Sequence, residues 1–143
     1  MIIMSRIQYT SQIKQDEYQQ LVEVYHSVGW MGHDLNKVEQ IYNNSSHYMI
    51  AIDNETVIGF ARALSDGVFN AAIYDVVVHP KYQGQGIARN LVQQLLDQFE
   101  SLSCIHLIST TGNEAFYNKL GFKKLTTAMA VYHKPQLEAE YTE

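Results

Sequence analysis

At 143 residues, with 46% hydrophobic and 17% charged side chains, the chain has enough apolar material for one folded core and lacks the composition of a disordered segment. A formal net charge of -5 offers no basic footprint for nucleic acid and mildly favours cationic small molecules. The single cysteine, Cys104, excludes an internal disulfide and a zinc site built on cysteine pairs.

The opening "MIIMSRIQYT" turns polar too soon for a signal peptide. No apolar run approaches the roughly 20 residues that span a bilayer, so a cytoplasmic protein with no membrane partner is expected. "RIQYT" reads as a short strand. Leu21, Val22, Val24, Tyr25 and Val28 then recur at helical spacing within "QDEYQQLVEVYHSVGW". "DLNKVEQIYNN" predicts a second helix, with Asp34 as its N-cap. The linking "VGWMGH" sets Trp30 between two glycines, a loop carrying a large aromatic residue.

Strands follow. Asp53-Asn54-Glu55 turns "HYMIAI" into "TVIGFARALS", and Asp66-Gly67 signals a hairpin into "VFNAAIYDVVV". Ile87, Ala88, Leu91, Val92, Leu95, Leu96 and Phe99 mark one face of a helix that must pack on the sheet. "CIHLIS" is nearly continuously apolar, as expected of a strand covered on both faces. Cys104 is thus expected as a small buried hydrophobe and His106 as a core histidine. In "TTGNEAFYNKLGFKK", Thr111 and Glu114 are spaced as a capping box. Phe116 and Leu120 should face the core, Gly121 suits a left-handed C-terminal cap, and Phe122 should fold back on the helix. "TTAMAVYHK" reads as a last strand, and residues 136–143 as an acidic solvated tail. The expected order is β-α-α-β-β-β-α-β-α-β: one domain over residues 1–143, a mixed α/β sheet with helices packed on it.

The joint at "VVVHPKYQGQGIA" is the chain's most informative stretch. Pro80 ends the strand, since it has no backbone N–H to donate. The helix then begins in "QGQGIA", where its first amides lack intrahelical partners and carry the positive end of the macrodipole. Gly84 and Gly86 strip side-chain cover from those amides, so the turn suits a phosphate; Lys81, Gln83 and Arg89 add donors. A plain tight turn has the same glycine pattern. Two phosphate loops fail: Ile87-Ala88 stand where a Walker loop needs Lys-Ser/Thr, and Arg89 and His106 break a dinucleotide fingerprint.

Gln83-Gly84-Gln85-Gly86-Ile87-Ala88, after a strand ending in Val-His-Pro, resembles the Gln/Arg-x-x-Gly-x-Gly/Ala signature of the GNAT acetyltransferase superfamily. "NEAFYNKLGFKK" resembles that family's second hallmark, and the element order is similar over nearly the whole chain. The resemblance implies a GNAT-like acyl-coenzyme A acyltransferase fold and an N-acetyltransferase using acetyl-CoA and no metal. It implies coenzyme contacts at Val76, Val77, Val78, Gln83, Gly84, Gln85, Gly86, Ile87, Ala88, Arg89, Asn113, Phe116 and Tyr117. It also implies Tyr117 as general acid to the departing thiolate, direct attack by the amine in a ternary complex, and the Val78 N–H as donor to the carbonyl oxygen. Without the resemblance, Tyr117 reads as an aromatic residue packed at a helix surface.

Asp75 stands in an otherwise apolar strand, where a charge is costly unless paired or used. It can take the amine's proton, bind a substrate cation, or hold Arg62. Tyr74 should point to the opposite face by alternation. Trp30, Tyr25, Arg62 and Tyr74 are the expected acceptor-side residues, with His26 and His33 flanking the Trp30 loop. The "VGW" and "ARALSDGVFNAAIYDVVVHP" segments resemble small bacterial relatives of plastid arylalkylamine acetyltransferases, which implies a small-molecule amine. Protein lysines or N-termini as acceptors, a non-catalytic acetyl-CoA sensor, and a homodimer are compatible with the same residues.

Overall fold

Residues 6–143 are described by the structure, a computed structural model. The first five, part of the opening segment read as no signal peptide, lie outside the described residues. The chain divides into two units, Met1–Ile108 and Ser109–Glu143.

In the first unit the helical spacing around Leu21 forms as α1 (Tyr18–Ser27), after a single 3-10 turn at Gln15–Glu17. Leu21, Val22, Val24 and Tyr25 are its buried residues. Helix α2 (Leu35–Asn43) starts where its cap predicts, with the Asp34 carboxylate accepting from the Lys37 amide at 2.9 Å. Five strands follow the expected order: β1 (Ile7–Thr10), β2 (His47–Asp53), β3 (Thr56–Ser65), β4 (Asn70–Val78) and β5 (Cys104–Leu107). They lie side by side as β1-β2-β3-β4-β5, with the first four antiparallel and β5 parallel to β4. Helix α3 (Ile87–Asp97) makes the crossover between β4 and β5.

The two sheet faces carry different helices. Phe60 of β3 meets Tyr25 of α1, with ring centroids 4.5 Å apart. Its neighbour Gly59 points the other way, toward α3. A Cβ at Gly59 would sit 3.0 Å from the Val77 carbonyl oxygen and 3.5 Å from Leu91 Cδ1, so this glycine allows close approach. Helix α3 buries Ile87, Leu91, Val92 and Leu95, and Phe99 just beyond it is buried too. Each such side chain contributes about 1.5–3 kcal/mol relative to exposure.

Strand β5 departs from expectation. Its Cys104 and His106 are exposed, whereas a strand covered on both faces was expected. An edge strand with one open face buries only alternate residues, and here Ile105 and Leu107 are the half-buried ones.

In the second unit, α4 (Glu114–Lys119) is shorter than its pattern suggests. The Thr111–Glu114 capping box does not form: Asn113 is the N-cap, and its side-chain amide donates back to Thr110 Oγ1 at 2.7 Å. Phe116 and Leu120 are half-buried rather than core. The C-terminus behaves as expected. Gly121 has φ +96°, its amide donates to the Asn118 carbonyl, and the Phe122 amide donates to the Tyr117 carbonyl at 3.1 Å. The Phe122 ring packs edge-on against Tyr117 at 5.7 Å. The expected last strand, residues 126–134, is irregular, with Met129 97% and Val131 83% exposed. Alternating apolar residues make a strand only where a ladder satisfies their amides. The acidic end is not a bare tail: Pro135 opens a short helix, α5 (Pro135–Tyr141).

Candidate active site

Strand β4 carries an irregularity that the sequence conceals. Phe60 faces Val77 and Arg62 faces Tyr74, so Asp75 and Val76 together oppose the single residue Ala61. This is a β-bulge. Asp75 sits at its bend with φ +50°, a left-handed conformation disfavoured for a side chain with a Cβ.

The bulge gathers polar groups around the Asp75 carboxylate. Arg62 Nε donates to Asp75 Oδ2 at 2.7 Å, and both side chains are mostly buried, at 16% and 14% exposure. Tyr25 Oη donates to the same oxygen at 2.9 Å. Arg62 Nη1 also reaches Ser45 Oγ at 3.3 Å. Burial of Arg62 works to lower its pKa, but the Asp75 hydrogen bond and charge outweigh it and raise the value. Burial, and then the Asp75 charge, push the Tyr25 phenol far above its ordinary range, so it keeps its proton and remains a donor.

The guanidinium also lies over the Tyr74 ring, 5.1 Å from its centroid. Arg62 therefore touches both Tyr74 and Asp75, and strict alternation between those two residues does not hold. The extra residue at the bulge is the physical reason. Tyr74 remains 41% exposed, while Tyr25 is fully buried. Trp30 is half-buried, its ring 5.8 Å from Tyr25 and 5.6 Å from His33. His33 stacks on Tyr25 at 4.3 Å, and desolvation lowers its pKa. The His33 carbonyl lies 3.0 Å from His26 Nε2.

At the C-terminal end of β4 the strand outruns its neighbour. The β4–β5 ladder ends at the Ile73–Leu107 pair, so Tyr74–Val78 continue without a β5 partner. Val77 and Val78 are buried and Val76 is half-buried. A 3-10 turn follows at Pro80–Tyr82, then the glycine turn into α3. Gly84 and Gly86 have φ +81° and +80°, and a Cβ built on either meets nothing within 4 Å. The space above them is open, and Asn90 is the first amide of α3 to bond back, to the Gly86 carbonyl at 3.1 Å. Gln83 closes the turn by donating from Nε2 to the Val78 carbonyl at 2.9 Å. Gln85 and Arg89 are exposed, Ala88 is half-buried and Ile87 anchors the helix in the core. An anionic linker fits this turn: it offers unpaired amides, the positive end of a helix and no side-chain cover.

In the second unit Tyr117 is half-buried on α4, and burial raises its pKa, so its phenol holds its proton at neutral pH. Phe116 stands edge-on to it at 4.9 Å. The Asn113 amide is tied to Thr110. Among the described residues, no three His, Cys, Asp or Glu side chains cluster as a metal site, and no helix is long and apolar enough to cross a membrane.

The sequence reading missed Tyr42. Its ring is buried and its hydroxyl lies 3.4 Å from that of Tyr25. Its spacing from Val38 on α2 marks it as core, but nothing in the spacing reveals a polar partner.

A mixed sheet whose fourth strand bulges and outruns the fifth, ahead of a bare glycine turn into a helix, is the frame of the candidate site. Residues 11–122 match the model of the Acetyltransferase (GNAT) family, and the chain belongs to that family. It is 39% identical over 122 residues to an uncharacterized N-acetyltransferase, ycf52, of Pyropia yezoensis, covering 81% of this chain and 70% of that protein. It is 35% identical over 109 residues to the histone acetyltransferase TAP1 of Glycine max, covering 67% of this chain and 47% of that protein. Among solved structures, a GNAT-family acetyltransferase from Streptococcus pneumoniae TIGR4 matches with TM-score 0.72 at 26% identity, over 90% of this chain and 98% of the other. Glucosamine-6-phosphate N-acetyltransferase from Arabidopsis thaliana matches with TM-score 0.72 at 16% identity, over 91% of this chain and all of the other, a likeness of fold alone. The protein is a GNAT-type N-acetyltransferase, and its family implies acetyl-CoA as co-substrate.

Proposed function

We propose that the chain transfers the acetyl group of acetyl-CoA to a primary amine by direct attack. The carrying observation is the open turn at Gly84 and Gly86 beside the stretch Tyr74–Val78, which has no β5 partner. The turn would hold the diphosphate on backbone amides of residues 84–89, with Gln83 and Arg89 alongside. The pantetheine arm would add to β4 along Val76–Val78 like an extra strand, with Asn113 and Phe116 as further contacts.

In this reading the amine nitrogen bonds to the thioester carbon, and the Val78 amide donates to the oxygen that becomes negative. The carbon–sulfur bond then breaks, and Tyr117 gives its proton to the sulfur. The amine's proton passes to Asp75, directly or through a water, and solvent restores both groups. Products are the N-acetylated amine and free coenzyme A. Trp30 and the exposed face of Tyr74 would contact the acceptor, with Arg62 holding Tyr74 in place.

A small-molecule amine is the acceptor favoured, since the half-buried Trp30 and the Arg62–Tyr74 pair suit a compact ligand with an apolar body. Likeness to a histone acetyltransferase supports a protein lysine as the second reading. Thiol release from acetyl-CoA, measured over arylalkylamines, polyamines and lysyl peptides, tests both. Turnover of an arylalkylamine supports the first and turnover of a peptide the second; release with none of them overturns the transfer reading.

A further inference from the structure

We propose that Tyr42 and Tyr25 form a directional phenol relay that positions the Asp75 carboxylate, which makes both tyrosines positioning residues for acetyl transfer. The inference rests on the proposed role of Asp75.

Direction follows from counting hydrogens. A phenol has one O–H to donate. Tyr25 commits its hydrogen to Asp75 Oδ2 at 2.9 Å. The Tyr25–Tyr42 contact at 3.4 Å is therefore donated by Tyr42 to the Tyr25 oxygen. Tyr42 is 2% and Tyr25 0% exposed, so neither phenol exchanges this bond for water. Two buried hydroxyls aimed in series at one carboxylate oxygen are costly to leave unmatched.

The target explains the arrangement. Asp75 holds a left-handed backbone at the bulge, and such a conformation persists only where its surroundings over-determine it. Arg62 from β3 and Tyr25 from α1 grip the same oxygen, Oδ2, so the carboxylate cannot rotate freely. Tyr42 on α2 orients the Tyr25 hydroxyl. Helix α1 and strand β3 thereby meet the bulged strand at one atom, and α2 joins them through the Tyr25 hydroxyl. Around Asp75 the charged and titratable groups are Arg62 on β3, Tyr74 beneath the guanidinium on β4, Tyr25 on α1, Tyr42 on α2, and His33 in the α1–α2 loop.

The test is a kcat-against-KM split for thiol release, together with crystal structures of the variants. Tyr25→Phe should lower kcat about tenfold with the KM for acetyl-CoA within about twofold, and its Asp75 carboxylate should turn away from Arg62 Nε. Tyr42→Phe should act the same way by less, and it retains the Tyr25 bond if the first variant folds poorly. Tyr18→Phe, on α1 but bonded to Asn43, should leave both readouts in place. A lowered Tm with the Asp75 carboxylate unmoved in Tyr25→Phe and Tyr42→Phe overturns the relay. Full activity in Asp75→Asn would instead sink the proposed role of Asp75, and the orientation of the carboxylate would still decide the relay.

Discussion

Asp66 shows how much one carboxylate can organise. Its Oδ1 accepts from the amides of Val68, Phe69 and Asn70, at 2.8, 2.8 and 3.1 Å, and so folds the β3–β4 hairpin. Those backbone bonds, that of Val68 foremost, hold its pKa below the ordinary 3.8. A depressed carboxylate contributes stability that is full above its unfolded pKa and is lost as pH falls through the folded value. Acid unfolding of wild type should accordingly show a loss at and below about pH 3.8 that Asp66→Asn lacks. Chemical denaturation across pH 2–6 would check this. Tyr117 belongs to the same scale. Removing one phenolic hydroxyl in Tyr117→Phe should cut kcat by about 10²–10³ and leave acetyl-CoA affinity within a few fold, if the phenol protonates the leaving sulfur. Stopped-flow thiol detection together with calorimetry would separate the two quantities. Asp-Gly marked the hairpin in the sequence, while the role of the tyrosine is proposed from the resemblance. The backbone of Asp75 was not announced. The charge of Asp75 stood out in its apolar strand, but nothing local distinguishes φ +50° from an extended strand.

At the scale of elements, amphipathic stripes were the strongest guide. The three helices of the first unit appear where their periodicity sets them, because burying a stripe dominates over marginal local propensity. Alternation served less well. It failed at Tyr74–Asp75, where the bulge resets the faces, and in residues 126–134, where no ladder forms. A strand depends on a distant partner that its own residues do not encode. Two glycines test opposite demands on an element. At Gly59 space is short: Gly59→Val should destabilise by about 1–3 kcal/mol through overpacking against Val77 and Leu91, read as a lower denaturation midpoint. At Gly86 space is open and conformation is the constraint. Gly86→Val should cost about 1–2 kcal/mol from its left-handed backbone and, by covering the α3 amides, remove measurable acetyl-CoA binding. Calorimetry on the folded variant would show the loss.

For the molecule as a whole, a ligand that binds only the folded chain must stabilise it by mass action. Acetyl-CoA at a hundred times its Kd should add about 2.7 kcal/mol, or roughly 5–10 °C in Tm for a chain of this length. Scanning calorimetry with and without acetyl-CoA checks this, and an unchanged Tm would argue against the glycine turn as its seat. The general plan of the first unit was open to reading from the sequence, since its motifs fall between elements whose order is set by composition and punctuation. The polar network beneath it was legible in part: Asp75 stood out in an apolar strand with Arg62 as a possible partner, and the two do pair, whereas the Tyr42–Tyr25 contact joins residues that look like core in isolation.

The early end of the β4–β5 ladder at Ile73 and Leu107 reaches beyond chemistry. Strand edges with unused amides and carbonyls are what other chains latch onto during aggregation. Here such an edge opens where β4 runs on past β5, and a bound coenzyme arm would serve as its removable seam. A cell short of acetyl-CoA would then hold this protein unstitched, and its shelf life would follow the metabolite's supply.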